Sequence, residues 1–129
     1  YVPALLGLRY LPILLISFVI TDFLIGFHNT VFFTWGSVMM VGILSQYFLK
    51  NTVSRIFGAL CGCIIFFILT NFGVWALGSH GLNFSGLLEC YVLGIPFFGN
   101  NLVSTLIFSL LIEAIFKFKA FNGLIKINN

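Results

Sequence analysis

Ile56–Leu77 reads IFGALCGCIIFFILTNFGVWAL, 22 consecutive residues without an acidic or basic side chain. As an α-helix this run covers about 33 Å, close to the roughly 30 Å of hydrocarbon in a bilayer. Three further apolar stretches accompany it: Leu11–Phe27, which contains Asp22, Val31–Leu49, and Leu102–Phe118, which contains Glu113 and Lys117. Inside lipid no water satisfies the backbone, so spans of this kind fold as helices. Pro12 falls in the first turn of its span, where a missing N–H does no harm. Composition closes off a soluble alternative. Only 7% of the chain is charged and 60% is hydrophobic, against about 25% charged in soluble domains. The 17 phenylalanines suit lipid-facing surfaces. The expected fold is an all-α integral membrane protein, with residues 1–129 forming a single transmembrane domain.

One apolar stretch is too short to join these spans. Between Leu87 and Pro96 there are about ten residues, or about 15 Å of helix, half a bilayer. Glycine and proline then interrupt it at GIPFFGNN. Gly86–Phe98 is therefore expected to be a short interfacial or re-entrant helix beside four full spans. Charge placement points the same way. Arg9 precedes the first span, Lys50 and Arg55 flank the second loop, and Lys117, Lys119 and Lys126 follow the last span. The loops HNT and GSHGLNFSG contain no Lys or Arg. The positive-inside rule puts the basic clusters and the C-terminus in the cytoplasm, and four crossings satisfy all of them. The net charge of +3 is thus a topology signal and not a nucleic-acid footprint. The chain opens on Tyr1 with no recognisable signal peptide, and NGLIKINN at its end reads as a surface tail.

Against this background ITDFLIGFHN, residues 20–29, stands out. Asp22 lies about 8 Å below the outer end of the first span. A carboxylate at the centre of a membrane costs roughly 2.5–3.5 kcal/mol on insertion scales, and less towards the interface. Such groups face protein or a water-filled cavity and take partners. Asn71 in TNFGVW is the expected partner, at matching depth in the third span. His28, His80, Trp75, Glu89, Cys90 and Tyr91 are expected near the same level. Apolar walls with a few convergent polar groups are the usual form of a small-ligand site. The competing account is that Asp22 and Asn71 lock two helices together, and that Trp35, Trp75 and Tyr91 are interfacial aromatics.

Other chemistries find little support. Cys61 and Cys63 are about 200° apart on a helix, so they cannot share a metal. No HxxxH or CxxC spacing backs a site built from His28, His80 and Cys90. No nucleophile elbow, zincin, phosphate-loop or dinucleotide motif occurs, so neither an enzyme nor a resident metal is expected, and no cofactor can be named. Glu113 stands four residues before Lys117 in the favourable order on a helix, and both are expected to snorkel to the interface. Gly58 and Gly62 form a GxxxG that permits close helix packing.

TDFLIGFHN, TNFGVW and CYVLGIPFFGNNL, in this order, resemble a family of small bacterial membrane proteins described as candidate transport proteins. That family is similar to the substrate-binding (S) components of energy-coupling-factor vitamin transporters. The resemblance covers roughly Tyr10 to Phe116. It implies a six-helix fold whose N-terminal hydrophobic hairpin is mostly lacking here, together with the Asn-Phe-Thr-Pro-like stretch found in that hairpin. Where relatives often have Gly-Asp in the last span, this chain has VST, Val103–Thr105. By this resemblance Asp22, His28, Asn71, Trp75, Cys90, Tyr91 and Asn100 line a pocket near the outer face. The implied function is binding of a small, vitamin-like substrate in a bacterial inner membrane, in partnership with an energising transporter module. The alternative is a non-catalytic accessory subunit of a larger membrane complex.

Overall fold

The computed structural model describes residues 1–48 and 51–121. Lys50, Lys126 and the NGLIKINN tail lie outside the described residues. The elements are α1 (Val2–Leu6), a 3-10 turn at Leu8–Tyr10, α2 (Leu11–Ile25), α3 (Val31–Leu44) continued by a 3-10 turn at Ser45–Phe48, α4 (Thr52–Ala76) and α5 (Phe84–Phe121). No strand forms among the described residues. Four segments are long and apolar enough to cross a membrane: Leu8–Ile25, Val31–Phe48, Thr52–Ala76 and Phe84–Lys119. The chain is an all-α integral membrane protein.

Local chemistry accounts for the helix ends. Pro12 occupies the opening turn of α2, and Gly26 ends that helix with φ 110°, a conformation that suits glycine. The N-cap of α4 is Asn51, whose side chain accepts a hydrogen bond from the Ser54 amide at 2.8 Å. Hydroxyls within the spans bond back to their own helix: Ser17 Oγ donates to Leu14 O at 2.6 Å and Thr21 Oγ1 to Ser17 O at 2.8 Å. This lets them face an apolar medium without an orphaned donor.

Short connections make sequential spans antiparallel, and α4 is the central helix, packed along both α3 and α5. Close approach depends on missing side chains. A Cβ on Gly62 would lie 2.7 Å from Val41 of α3, and one on Gly94 would lie 2.6 Å from the Asn71 side chain of α4. The GxxxG thus does what its spacing suggested, with Gly62 against α3 and Gly58 against Phe48 in the turn that follows it. α2 contains no buried residue and packs at the edge, against α3. Large apolar side chains are exposed along every span, from Phe23 and Leu24 on α2 to Phe97 and Phe108 on α5. Such an exterior belongs in lipid.

The expected short helix does not exist as a separate element. Residues 87–98 are the first part of α5, which runs unbroken through Pro96 to Phe121. A proline removes one N–H from a helix. Ending the helix inside hydrocarbon would orphan several groups at once, so continuity is the cheaper solution in a membrane. The stretch turns out to be an extension of the fourth span rather than an added crossing. At 38 residues α5 is about 57 Å long, well beyond the hydrocarbon thickness. Four crossings remain, with both ends of the described chain at one end of the bundle.

Candidate functional site

The hairpin of α2 and α3 turns at His28 and Asn29, which sets residue 22 opposite residue 35. There the Trp35 indole N–H donates to Asp22 Oδ2 at 2.7 Å. Asp22 therefore does not take Asn71 as its hydrogen-bond partner, because the adjacent helix of its own hairpin supplies a donor first. His28 is exposed in the turn, with Nε2 3.5 Å from Thr34 Oγ1.

The remaining predicted residues lie along the α4–α5 pair. Asn71 donates to Phe67 O at 2.8 Å and packs against Gly94. Trp75 Nε1 reaches across the connecting loop to Asn83 O at 3.1 Å. His80 is 3.4 Å from Glu89. Cys90 is buried, and Tyr91 donates to Ile68 O at 2.9 Å. Asn100 departs most from expectation. Its neighbour Asn101 presents its carbonyl 3.9 Å from Cys63 Sγ, at the middle of α4. Asn100 is therefore near the centre of the spans, and it is exposed. These residues occupy one half of the molecule without converging on one point. Among the described residues no three His, Cys, Asp or Glu side chains come together as a metal site.

Two cavities among the described residues could hold a molecule. The first, about 350 Å³, lies between all four spans. Leu14 and Phe18 of α2, Val38 of α3 and Phe66 of α4 form apolar walls. Its polar edge comes largely from α5, through Asn101, Ser104, Thr105 and Ser109, with Cys63 facing them from α4. Cys63 Sγ and Thr105 Oγ1 are 3.0 Å apart. The second cavity, about 340 Å³, is bounded by α4 and α5 and includes Thr70, Asn71 and Gly94. Phe66 and Asn101 belong to both. Of the seven residues expected to line a pocket, Asn71 alone lines either of these two.

The sequence reading missed a polar cluster at the other end of the bundle. Glu113 is 4% exposed, so it does not snorkel towards Lys117. It receives Arg55 Nε at 2.6 Å and Nη2 at 2.8 Å, Thr52 Oγ1 at 2.8 Å and the Tyr1 hydroxyl at 3.4 Å. Two nitrogens on two oxygens make the bidentate arrangement that arginine favours. Burial, with the Glu113 charge beside it, pushes the Tyr1 phenol above its usual range. At neutral pH that hydroxyl is a donor. Tyr1 also lines the first cavity, as does Ile112 next to Glu113, so the ion pair lies just beyond one end of that space. The missed signal was register: antiparallel packing of α4 on a continuous α5 sets Cys63 beside Thr105 and, eight residues further along each helix, Arg55 beside Glu113.

The chain has no match among curated proteins or solved structures. Residues 7–123, nearly all of the chain, match a family described as a family of unknown function (DUF6580), and the protein belongs to that family.

Proposed function

We propose that the protein is a substrate-binding component for membrane transport, holding a small molecule between its spans. The observation that supports this best is the first cavity. Its volume is within the 300–1,000 Å³ usual for small-molecule sites, and its walls are apolar with a few polar groups on one side. The pocket moves from the outer face, where the resemblance implied it, towards the middle of the bundle. Asn71 and the second cavity would form the approach to it, through the shared Phe66 and Asn101. Arg9, Arg55, Lys117 and Lys119 sit at the opposite end from His28, which by the positive-inside rule supports a cytoplasmic location for that end. A bacterial inner membrane and an energising partner module follow from the resemblance to S components.

The test is native mass spectrometry of the protein purified from its own membrane. A stoichiometric small-molecule adduct is expected, and Val38→Trp, which fills the first cavity, should abolish it. An adduct that survives Val38→Trp, or none in protein purified under several growth conditions, would refute the proposal.

A second reading, an accessory subunit of a larger complex, draws on α2, which has no buried residue. A helix packed on one side only is suited to another membrane subunit. Stoichiometric co-purification of another polypeptide through mild detergent would favour it.

A further inference from the structure

We infer that the cavity between the four spans accepts an uncharged molecule that brings hydrogen-bond donors, hydroxyl or N–H, to Ser104 and Asn101 of α5 and to Ser45 in the turn after α3. The inference rests on the reading of that cavity as a ligand site and specifies its cargo.

The first argument is charge. No residue lining the cavity has a charged side chain. Burial pushes the Tyr1 α-amino group towards its uncharged form, and the charged side chains just beyond the cavity, Arg55 and Glu113, are bound to each other, with both Glu113 oxygens occupied: Oε1 by Arg55 Nε and Tyr1, Oε2 by Arg55 Nη2 and Thr52. A charged guest would give up hydration and find no charged side chain in the lining to pair with, which is costly in a membrane interior.

The second argument is the direction of the hydroxyls. Ser104 Oγ donates to Asn101 O at 3.0 Å, and Ser45 Oγ donates to Gly42 O at 2.6 Å. Their protons are committed to helix carbonyls, so lone pairs are what they have left for a guest. Asn101 adds an amide whose side chain makes no hydrogen bond to the described residues, and this amide borders both cavities. Lone pairs are therefore offered by Ser104 on α5 and by Ser45 in the turn after α3, and the Asn101 amide can accept as well as donate, between otherwise apolar walls.

Cys63 makes the proposal testable without a known ligand, because it lines the cavity and is 6% exposed. In the full chain with Cys61 and Cys90 replaced by alanine, purified in detergent, its labelling would be timed with matched methanethiosulfonates. The set is hydroxyethyl and propyl (neutral), sulfonatoethyl (anionic) and trimethylammonioethyl (cationic). Each rate is normalised to a free thiol in the same micelles. The hydroxyethyl reagent should label Cys63, outpace propyl, and exceed both charged reagents by at least about tenfold. Charged reagents reacting as fast as neutral ones would overturn the charge class while leaving the cavity intact. Propyl equalling hydroxyethyl would overturn the donor requirement. No labelling by any reagent until the protein is unfolded would overturn the ligand-site reading itself. In Glu113→Gln, Arg55 loses its counter-charge, and the anionic reagent should gain several-fold over the cationic one. An unchanged ratio would contradict the role assigned to the ion pair. Should that variant not fold, the comparison in the parent protein still decides the matter.

Discussion

Replacing Glu113 with leucine removes the acceptor for Arg55, Thr52 and Tyr1 together. The carboxylate is 5% exposed in its side chain and Arg55 18%, so what remains is a mostly buried guanidinium without its carboxylate. Breaking one partner of a buried pair costs about 3–5 kcal/mol. Arg55 keeps some access to the interface and a long flexible stem, which places this case near the lower figure, about 3 kcal/mol. That is roughly a hundredfold in the folding equilibrium. Arg55→Leu should cost a similar amount by stranding the carboxylate. The double variant should recover most of the loss, since an apolar replacement of a whole buried pair is often neutral. The assay is reversible unfolding in mixed micelles, with the four proteins forming a double-mutant cycle. Single variants costing under about 1 kcal/mol, or a double variant as unstable as the sum of the singles, would refute the reasoning.

Two further outcomes follow from the packing. Trp35→Phe leaves Asp22 without its indole donor, and a polar group left unsatisfied away from water costs about 1–3 kcal/mol; the same unfolding assay should show a loss in that range, and Asp22→Leu in the Trp35→Phe background should restore part of it. Gly94→Val drives a side chain into Asn71 and Phe67, so it should cost about 1–3 kcal/mol, with part of the loss relieved when Asn71 is also truncated to alanine.

Spans were legible because their signal is long and redundant: Ile56–Leu77 has no charge to contradict it, and Arg55 marks the flank where it begins. Where sequence reasoning failed, it failed at Pro96. In water, glycine and proline near the end of a short apolar run mean a break. In lipid the surrounding backbone has no other partner, and α5 continues. That one misjudgement propagated. With α5 divided, Glu113 has no register against α4, and only Lys117 on its own helix is within view. Asn100 was likewise moved to the outer mouth, when a continuous helix puts it beside the middle of α4. Asp22 was matched by depth to Asn71 on a distant helix, although counting back from the turn at His28 and Asn29 would have found Trp35. The cavity left even less trace. Ser104, Thr105 and Ser109 are small hydroxyl residues of a kind common in any packed span, and only the placement of four helices makes them a common edge.

The central claim is that the four spans leave room for a guest between them instead of closing on one another. An experimental density map of the protein in lipid nanodiscs would test it most directly at the cavity bounded by Val38, Phe66, Cys63 and Thr105. The account predicts ordered non-protein density there, bordered by Asn101 and Ser104. Side chains from α2 and α5 meeting across that position, with no room for a molecule, would contradict it.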